Sequence, residues 1–188
     1  MEDRKALSLA NAKAKLSEIV RSADLERTPM IQRMKKSSIT DNFHHVGIIV
    51  KDVDKAVNFY ESLGIGPFES LTITARDRKL RGKPLSGLKL KIRIAHVGQT
   101  RIEAIQPVEG AGPWFEFLER HGEGIAHMAF VVDDIEKAKF ELVTRGLKIL
   151  YESWFEDGGA AAYLESDQVG GTVLEIFQRP PNYVPRKR

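Results

Sequence analysis

Two histidines and two glutamates recur at matching places along this chain. His45 opens the apolar run HVGIIV (45–50), and His127 opens HMAFVV (127–132) 82 positions later. Glu103 stands in RIEAIQ (101–106) and Glu175 in VLEIFQ (173–178), 72 positions apart. A carboxylate in the middle of an apolar strand is costly unless it is paired, exposed on an open face or bound to a cation. Two neutral imidazoles and two carboxylates make a charge-balanced N and O donor set for a divalent ion. Four such ligands would leave positions open on an octahedral ion for water or substrate oxygens. A carbonyl bound there would be polarised, and a carboxylate on each face of the resulting enolate could exchange the α-proton. The bland alternative is that all four side chains simply face a wet, concave sheet.

The surrounding pattern is a duplication. HVGIIVKDVDKAVNFYESLG (45–64) overlays HMAFVVDDIEKAKFELVTRG (127–146) without a gap, matching His45/His127, Asp52/Asp134, Ala56/Ala138 and Gly64/Gly146. The second match, Glu103/Glu175 with Gln106/Gln178, falls at a shorter offset, so the first half has a longer interior. Each half reads as a strand, a helix capped by Asp and closed by Gly, then about three strands. In the first half the helix runs from about 53 to 63, followed by strands at 68–74, 88–96 and 101–106. In the second, strands at 149–155, 160–165 and 172–178 follow the helix, and 114–120 forms a short helix between the halves. On the first strand His45, Gly47 and Ile49 share a face, and on its counterpart His127, Ala129 and Val131 do. The small residues Gly47 and Ala129 leave room beside each imidazole.

The fold class expected is α+β: two tandem βαβββ modules forming a cupped mixed sheet, with an N-terminal helical extension. Module one spans 43–107, a connector 108–124 and module two 125–180, inside a domain of 42–180. Residues 1–41, rich in Ala, Lys, Glu and Ser, carry a thin apolar stripe (Leu9, Leu16, Ile19, Val20) and a second short helical piece around 30–36. They read either as a helical extension packed on the domain or a partner, or as a partly ordered arm. Residues 181–188 form a basic tail. The stretch Arg76–Pro84 reads as a basic loop in the extra length of module one. Its Arg76, Arg78, Lys79, Arg81 and Lys83 suit the phosphates or carboxylates of an anionic substrate, or a solvated loop. Trp114 and Phe115 line a pocket or belong to the core. His44, His96 and His121 lack counterparts in the other half and read as structural or exposed.

The chain has 188 residues with 42% hydrophobic and 29% charged, enough for a packed core and against general disorder. It contains no cysteine, which excludes a disulfide scaffold, a thiolate zinc site and a cysteine nucleophile. A net charge of +3 gives little reason to expect nucleic acid and suits an anionic small molecule as well. No apolar run is long enough for a membrane span and the first residues lack a signal-peptide core, so a cytoplasmic protein is expected.

These segments resemble the vicinal oxygen chelate superfamily, which includes glyoxalase I, methylmalonyl-CoA epimerases, extradiol dioxygenases and bleomycin- or fosfomycin-resistance proteins. The resemblance runs from about Phe43 to Gln178 and is closest to the methylmalonyl-CoA epimerases, through HHVGIIVKDVDKAVNFYESLGI (44–65), FLERHGEGIAHMAFVVDDIEKA (117–138) and QVGGTVLEIF (168–177). It implies that His45, Glu103, His127 and Glu175 bind a divalent metal (Co, Ni, Zn, Mn or Mg), and the pseudo-two-fold relation of the halves offers Glu103 and Glu175 as the catalytic pair. The implied function is a metal-dependent epimerase or isomerase that abstracts a proton α to the carbonyl of an acyl-CoA-type substrate. Epimerases usually carry Gln at the position of Glu103, where glyoxalase I has Glu. The stretch KLKIRIAHV (89–97) also lacks the acidic residue that epimerases carry on an earlier strand. A glyoxalase I-like lyase acting on a glutathione adduct is therefore the nearest alternative, followed by an extradiol-dioxygenase-like enzyme or a non-catalytic ligand-binding member. By the same analogy a homodimer is expected.

Overall fold

The computed structural model describes residues 42–166 and 170–184. The helical pieces expected within 1–41 lie outside the described residues, as does the end of the basic tail. Among the described residues the order is β1 (Phe43–Ile49), α1 (Val53–Ser62), β2 (Phe68–Leu71), β3 (Ala75–Leu80), β4 (Lys83–Pro84), β5 (Lys89–Val97), β6 (Thr100–Glu109), α2 (Pro113–His121), β7 (Gly124–Val132), α3 (Ile135–Thr144), β8 (Lys148–Phe155), β9 (Ala160–Glu165) and β10 (Val173–Gln178). The strands form one curled mixed sheet of ten in the order β2-β5-β6-β1-β7-β10-β9-β8-β3-β4.

The repeat in the sequence is a repeat in the structure. Asp52 Oδ1 accepts hydrogen bonds from the backbone N–H of Asp54 and Lys55 and starts α1, while Asp134 Oδ1 accepts from Lys137 N and starts α3. Gly64 and Gly146 close the two helices at φ +81° and +96°, a conformation that costs glycine little. The matched glutamines are part of the same device. Gln106 Oε1 accepts from Val53 N at 3.1 Å and Gln178 Oε1 from Ile135 N at 2.9 Å, so each half's last strand satisfies an otherwise unpaired N–H at its own helix start. Glu103 and Gln106 stand an odd number of residues apart on β6, so one faces the cup and the other the helix.

At the centre β1 and β7 run antiparallel, and each lies parallel to the last strand of its own half, β6 and β10. The registers place His45 opposite Ala129 and Gly47 opposite His127 across this seam. Within the halves Gly47 is level with Glu103 and Ala129 with Glu175. Helices α1 and α3 cover the convex side. Val53 packs there with Val50 and Ala104, and Ile135, Ala138 and Leu142 pack with Ala162, Leu164 and Ile176. A separate apolar cluster, including Ile49, Ile92, Ile105, Trp114, Tyr151 and Tyr163, lines the concave side.

Two local expectations are corrected. The run Arg76–Pro84 is a hairpin rather than a loop: β3 and β4 turn at Arg81–Gly82, and β3 pairs antiparallel with β8 of the second half. Accordingly the strand expected at 68–74 stops at Leu71. Residues Thr72–Thr74 then pass from the outer strand of one half to the far side of the other. A link this short spans at most about 14 Å when extended, so the sheet curls until its two ends nearly meet. Charge in the sequence concealed strand pairing here, because an outer hairpin need bury only one face.

Candidate metal centre

All four matched side chains reach the same spot at the bottom of the cup. His45, Glu103, His127 and Glu175 are 2%, 5%, 1% and 6% exposed, extreme burial for residues of these types. His45 Nε2 lies 3.2 Å from His127 Nε2, and Glu175 Oε2 lies 3.1 Å from each of them. Glu103 Oε2 stands 3.4 Å from His45 Nε2, with Glu103 Oε1 turned to Arg101 Nη2 at 3.7 Å. His45, His127 and Glu175 thus form a compact trio of potential ligand atoms, and Glu103 stands at its edge on the His45 side.

The trio suits a divalent cation on its own geometry. Bonds of roughly 2.1 Å separate neighbouring ligands by about 3.0 Å around an octahedral ion and about 3.4 Å around a tetrahedral one. The observed triangle of 3.1, 3.1 and 3.2 Å falls between these, nearer the octahedral face. Glu175 Oε2 is buried and has no well-aligned hydrogen bond among the described residues, a state that is expensive for a carboxylate oxygen unless a cation is its partner.

The cradle explains the small residues beside the imidazoles. A Cβ on Gly47 would lie 1.8 Å from His127 Cε1 and 2.2 Å from its Nε2, because the His127 ring lies directly across the Gly47 backbone. On its other side the ring meets Tyr163 edge-on at 5.2 Å.

Electrostatics follows from burial and pairing. For His45, burial alone would lower the pKa, but the Glu103 and Glu175 carboxylates outweigh it and hold the group above its ordinary value. For Glu175, burial pushes upward and is overcome by His45 and His127, which hold the carboxyl well below the usual range. Burial keeps Tyr163 protonated well beyond the ordinary phenol range and raises Tyr151 in the same direction.

A cavity of about 810 Å³ rises from this floor, touching His45, Glu103 and Glu175 and walled on the apolar side by Leu88, Ile92 and Trp114. Its polar wall carries Arg78, Tyr151, Ser153 and Tyr163. Of the five basic residues in the hairpin, Arg78 alone lines this cavity. Arg81 is held by both oxygens of Glu116 on α2, Lys79 Nζ lies 5.1 Å from the Trp154 ring centre, and Arg76 and Lys83 face solvent. Trp114 serves both roles open to it, core and cavity wall; His96 and His121 are exposed. His44 is half-buried between His45, Phe177 and Arg101, and burial, then Arg101, push its pKa down to about 3. Sequence reasoning passed over it because it has no counterpart in the second half; the adjacent His-His pair was the available signal.

Among the described residues no helix is long and apolar enough to cross a membrane. Comparison with known proteins agrees with the fold. Methylmalonyl-CoA epimerase from Mycobacterium tuberculosis superposes with a TM-score of 0.56 at 20% identity, covering 78% of this chain and 92% of that one. A variant of the epimerase from Streptomyces coelicolor in complex with 2-nitronate-propionyl-CoA gives 0.57 at 20% identity, covering 79% of this chain and all of that one, and a methylmalonyl-CoA epimerase in complex with methylmalonyl-CoA and NH4+ gives the same values. In sequence the chain is 26% identical to the mitochondrial methylmalonyl-CoA epimerase of Bos taurus over 139 residues, 72% of this chain and 73% of that protein. The human enzyme matches at 25% over 138 residues, 72% of each. Residues 44–163 match the model of one family, and with the duplicated fold they place this chain in the Glyoxalase/Bleomycin resistance protein/Dioxygenase superfamily.

Proposed function

We propose that this protein is a metal-dependent epimerase or isomerase that moves a proton next to the carbonyl of an acyl-CoA-type thioester. The observation that carries the reading is the pair of buried carboxylates, Glu103 and Glu175. They come from equivalent strands of the two halves and flank His45 Nε2 at 3.4 and 3.1 Å on the floor of a cavity that takes a small acyl group. The names of the bovine and human relatives support it, and so do the acyl-CoA ligands in the structures of methylmalonyl-CoA epimerases that share this fold.

His45, His127 and Glu175, with Glu103 beside them, are the residues that would hold a divalent ion, which supplies Lewis acidity toward the substrate carbonyl. Glu103 takes the α-proton on a carboxylate oxygen on one face, and the enolate is reprotonated on the opposite face by a proton that Glu175 takes up from solvent and passes on. Arg101 gives Glu103 a fixed counter-charge at 3.7 Å. The neutral phenols of Tyr151 and Tyr163 donate hydrogen bonds from the cavity wall, and Arg78 receives an anionic part of the substrate. Leu88, Ile92 and Trp114 exclude water and so strengthen each of these interactions.

The test is solvent exchange. Protein reconstituted separately with Co²⁺, Ni²⁺, Zn²⁺, Mn²⁺ and Mg²⁺ is incubated with methylmalonyl-CoA in deuterated water, and α-deuterium is read by mass spectrometry. Incorporation with at least one ion, lost in Glu103→Gln, is expected. Full activity in Glu103→Gln, or turnover of a glutathione hemithioacetal without exchange of the thioester, overturns the assignment in favour of a lyase or a different base. One observation favours a second reading: His45, His127 and Glu175 form the two-His-one-carboxylate set of non-haem iron oxygenases. Oxygen uptake with catechols by Fe²⁺-loaded protein would identify that chemistry.

A further inference from the structure

Arg78, Lys89 and Arg101 are the lysine and arginine side chains that line the cavity. Lys89 pairs with Glu109, and Arg101 Nη2 lies 3.7 Å from Glu103 Oε1. Arg78 is different. Among the described residues the arginines in ion pairs are Arg81, Arg93, Arg101 and Arg120, so the half-buried Arg78 has no carboxylate partner there. It meets the hydroxyl of Tyr151 instead, whose oxygen accepts from the guanidinium.

The hairpin sets its aim. Leu80 packs into the concave apolar cluster, while Lys79 lies against Trp154, which packs on the convex one. Strand alternation therefore turns Arg78 into the cup with Leu80. The pairing of β3 with β8 slips between Ala75 and Asp77, and Arg76, inside the slip, faces solvent. Register gives the span from the metal centre. Glu175 is opposite Tyr163, Tyr163 opposite Tyr151, and Tyr151 opposite Leu80. Arg78 thus stands on the third strand from Glu175, about 14 Å along the curl at ordinary strand spacing. Tyr163 and Tyr151, ring centres 5.6 Å apart, fill the row between.

We propose that Arg78, with the Tyr151 hydroxyl and Ser153 beside it, forms an oxyanion subsite for a carboxylate at the far end of the substrate's acyl chain. Its purpose rests on the thioester reading above and narrows the substrate to α-substituted acyl groups with a second, remote acid. Ser153 is directly opposite Arg78 and lines the same cavity. The planar fork of a guanidinium matches a carboxylate with two parallel hydrogen bonds, and the apolar wall strengthens them relative to water. A carboxylate on the reacting carbon itself would stay at the floor with the trio. One a few carbons further out follows the tyrosine row to Arg78. A phosphate presents similar oxygens, but in CoA it lies beyond the whole pantetheine arm.

The experiment compares two phosphate-free probes. One is the N-acetylcysteamine thioester of 2-methylglutaric acid, joined through the carboxyl next to the methyl branch; the other carries an amide in place of the far carboxyl. Calorimetry reads their binding to full-length protein, both Co²⁺-loaded and metal-free. The acid should bind roughly 10–100-fold more tightly than the amide. Arg78→Met should erase that preference, and Arg78→Lys, which keeps the charge without the fork, should retain part of it. No preference in the wild type overturns the proposal whether or not any variant folds, and so does a full preference in folded Arg78→Met. CoA without an acyl group is the other arm. Weaker CoA binding in Arg78→Met, with acid and amide bound equally by the wild type, assigns Arg78 to a phosphate and overturns the carboxylate assignment. α-Deuterium exchange is scored separately. Preference for the acid, with no exchange in it or in methylmalonyl-CoA, leaves the subsite standing and defeats the epimerase reading instead.

Discussion

Replacing Gly47 by alanine tests the centre at a residue that ligates nothing. Gly47 does not need glycine for its backbone, being absent from the positive-φ positions, so the substitution acts through its new methyl group alone. That carbon would sit 1.8 Å from His127 Cε1, and ordinary contact begins near 3.4 Å, so the ring must retreat by about 1.6 Å. Tyr163 stands on the far side at 5.2 Å between ring centres and blocks a simple translation, so the ring must also rotate. Ligand distances in a working metal site hold to about 0.2 Å, several times less than the displacement demanded. The overpacking itself costs about 1–3 kcal/mol, which a folded domain of this size survives. Gly47→Ala should therefore fold, unfold at a somewhat lower temperature without metal, and lose the thermal stabilisation that saturating Co²⁺ gives the wild type. Ala129→Gly is the matched control, because it removes a methyl at the equivalent place beside His45. It should cost about 0.5–1 kcal/mol of strand stability and leave the Co²⁺ shift in place. Equal Co²⁺ shifts in Gly47→Ala and wild type would refute the reasoning.

Three further outcomes are expected. Trp114→Ala removes an indole that is 5% exposed and packed edge-on against Tyr151 and Tyr163, so urea titration should report a loss of about 3–5 kcal/mol. Arg78→Met should raise KM for an acyl-CoA substrate with a smaller effect on kcat and no effect on Co²⁺ retention, whereas solvent-facing Arg76→Met and Lys83→Met should change neither constant. The Arg81–Glu116 pair ties the hairpin to α2, and its hydrogen bonds hold Glu116 below the ordinary carboxyl value of 4.5. A depressed carboxyl contributes stability above that value and loses it as pH falls through the lower, folded-state one. Arg81→Ala should thus lower the melting temperature slightly at pH 7, with the difference from wild type vanishing in strong acid.

The halves were legible in the sequence because duplication repeats every local signal. Asp52 and Asp134, Gly64 and Gly146, and Gln106 and Gln178 mark helix starts and ends twice, and agreement between copies fixes the register. The chemistry-bearing residues share that legibility, since His45 and Glu103 are findable through His127 and Glu175. What lacks a second copy was hidden. The hairpin β3–β4 has no counterpart, and its charge masked a partner strand 71 to 80 positions away. His44 has none either, and the slip of β1 against β7 that turns its ring toward His45 arises from cross-strand pairing rather than from any local pattern. Arg101 reads as the polar start of a strand until its neighbours are known.

The short passage through Thr72–Thr74 means that the duplicated halves are no longer separable pieces. Hydrolysing the backbone near residue 110 would yield one fragment owning strands from both extremities of the sheet and another whose outermost strand, β8, had lost its neighbour. Such fragments would be expected to reassemble only by interlacing, and two whole molecules could not trade halves by opening a single hinge.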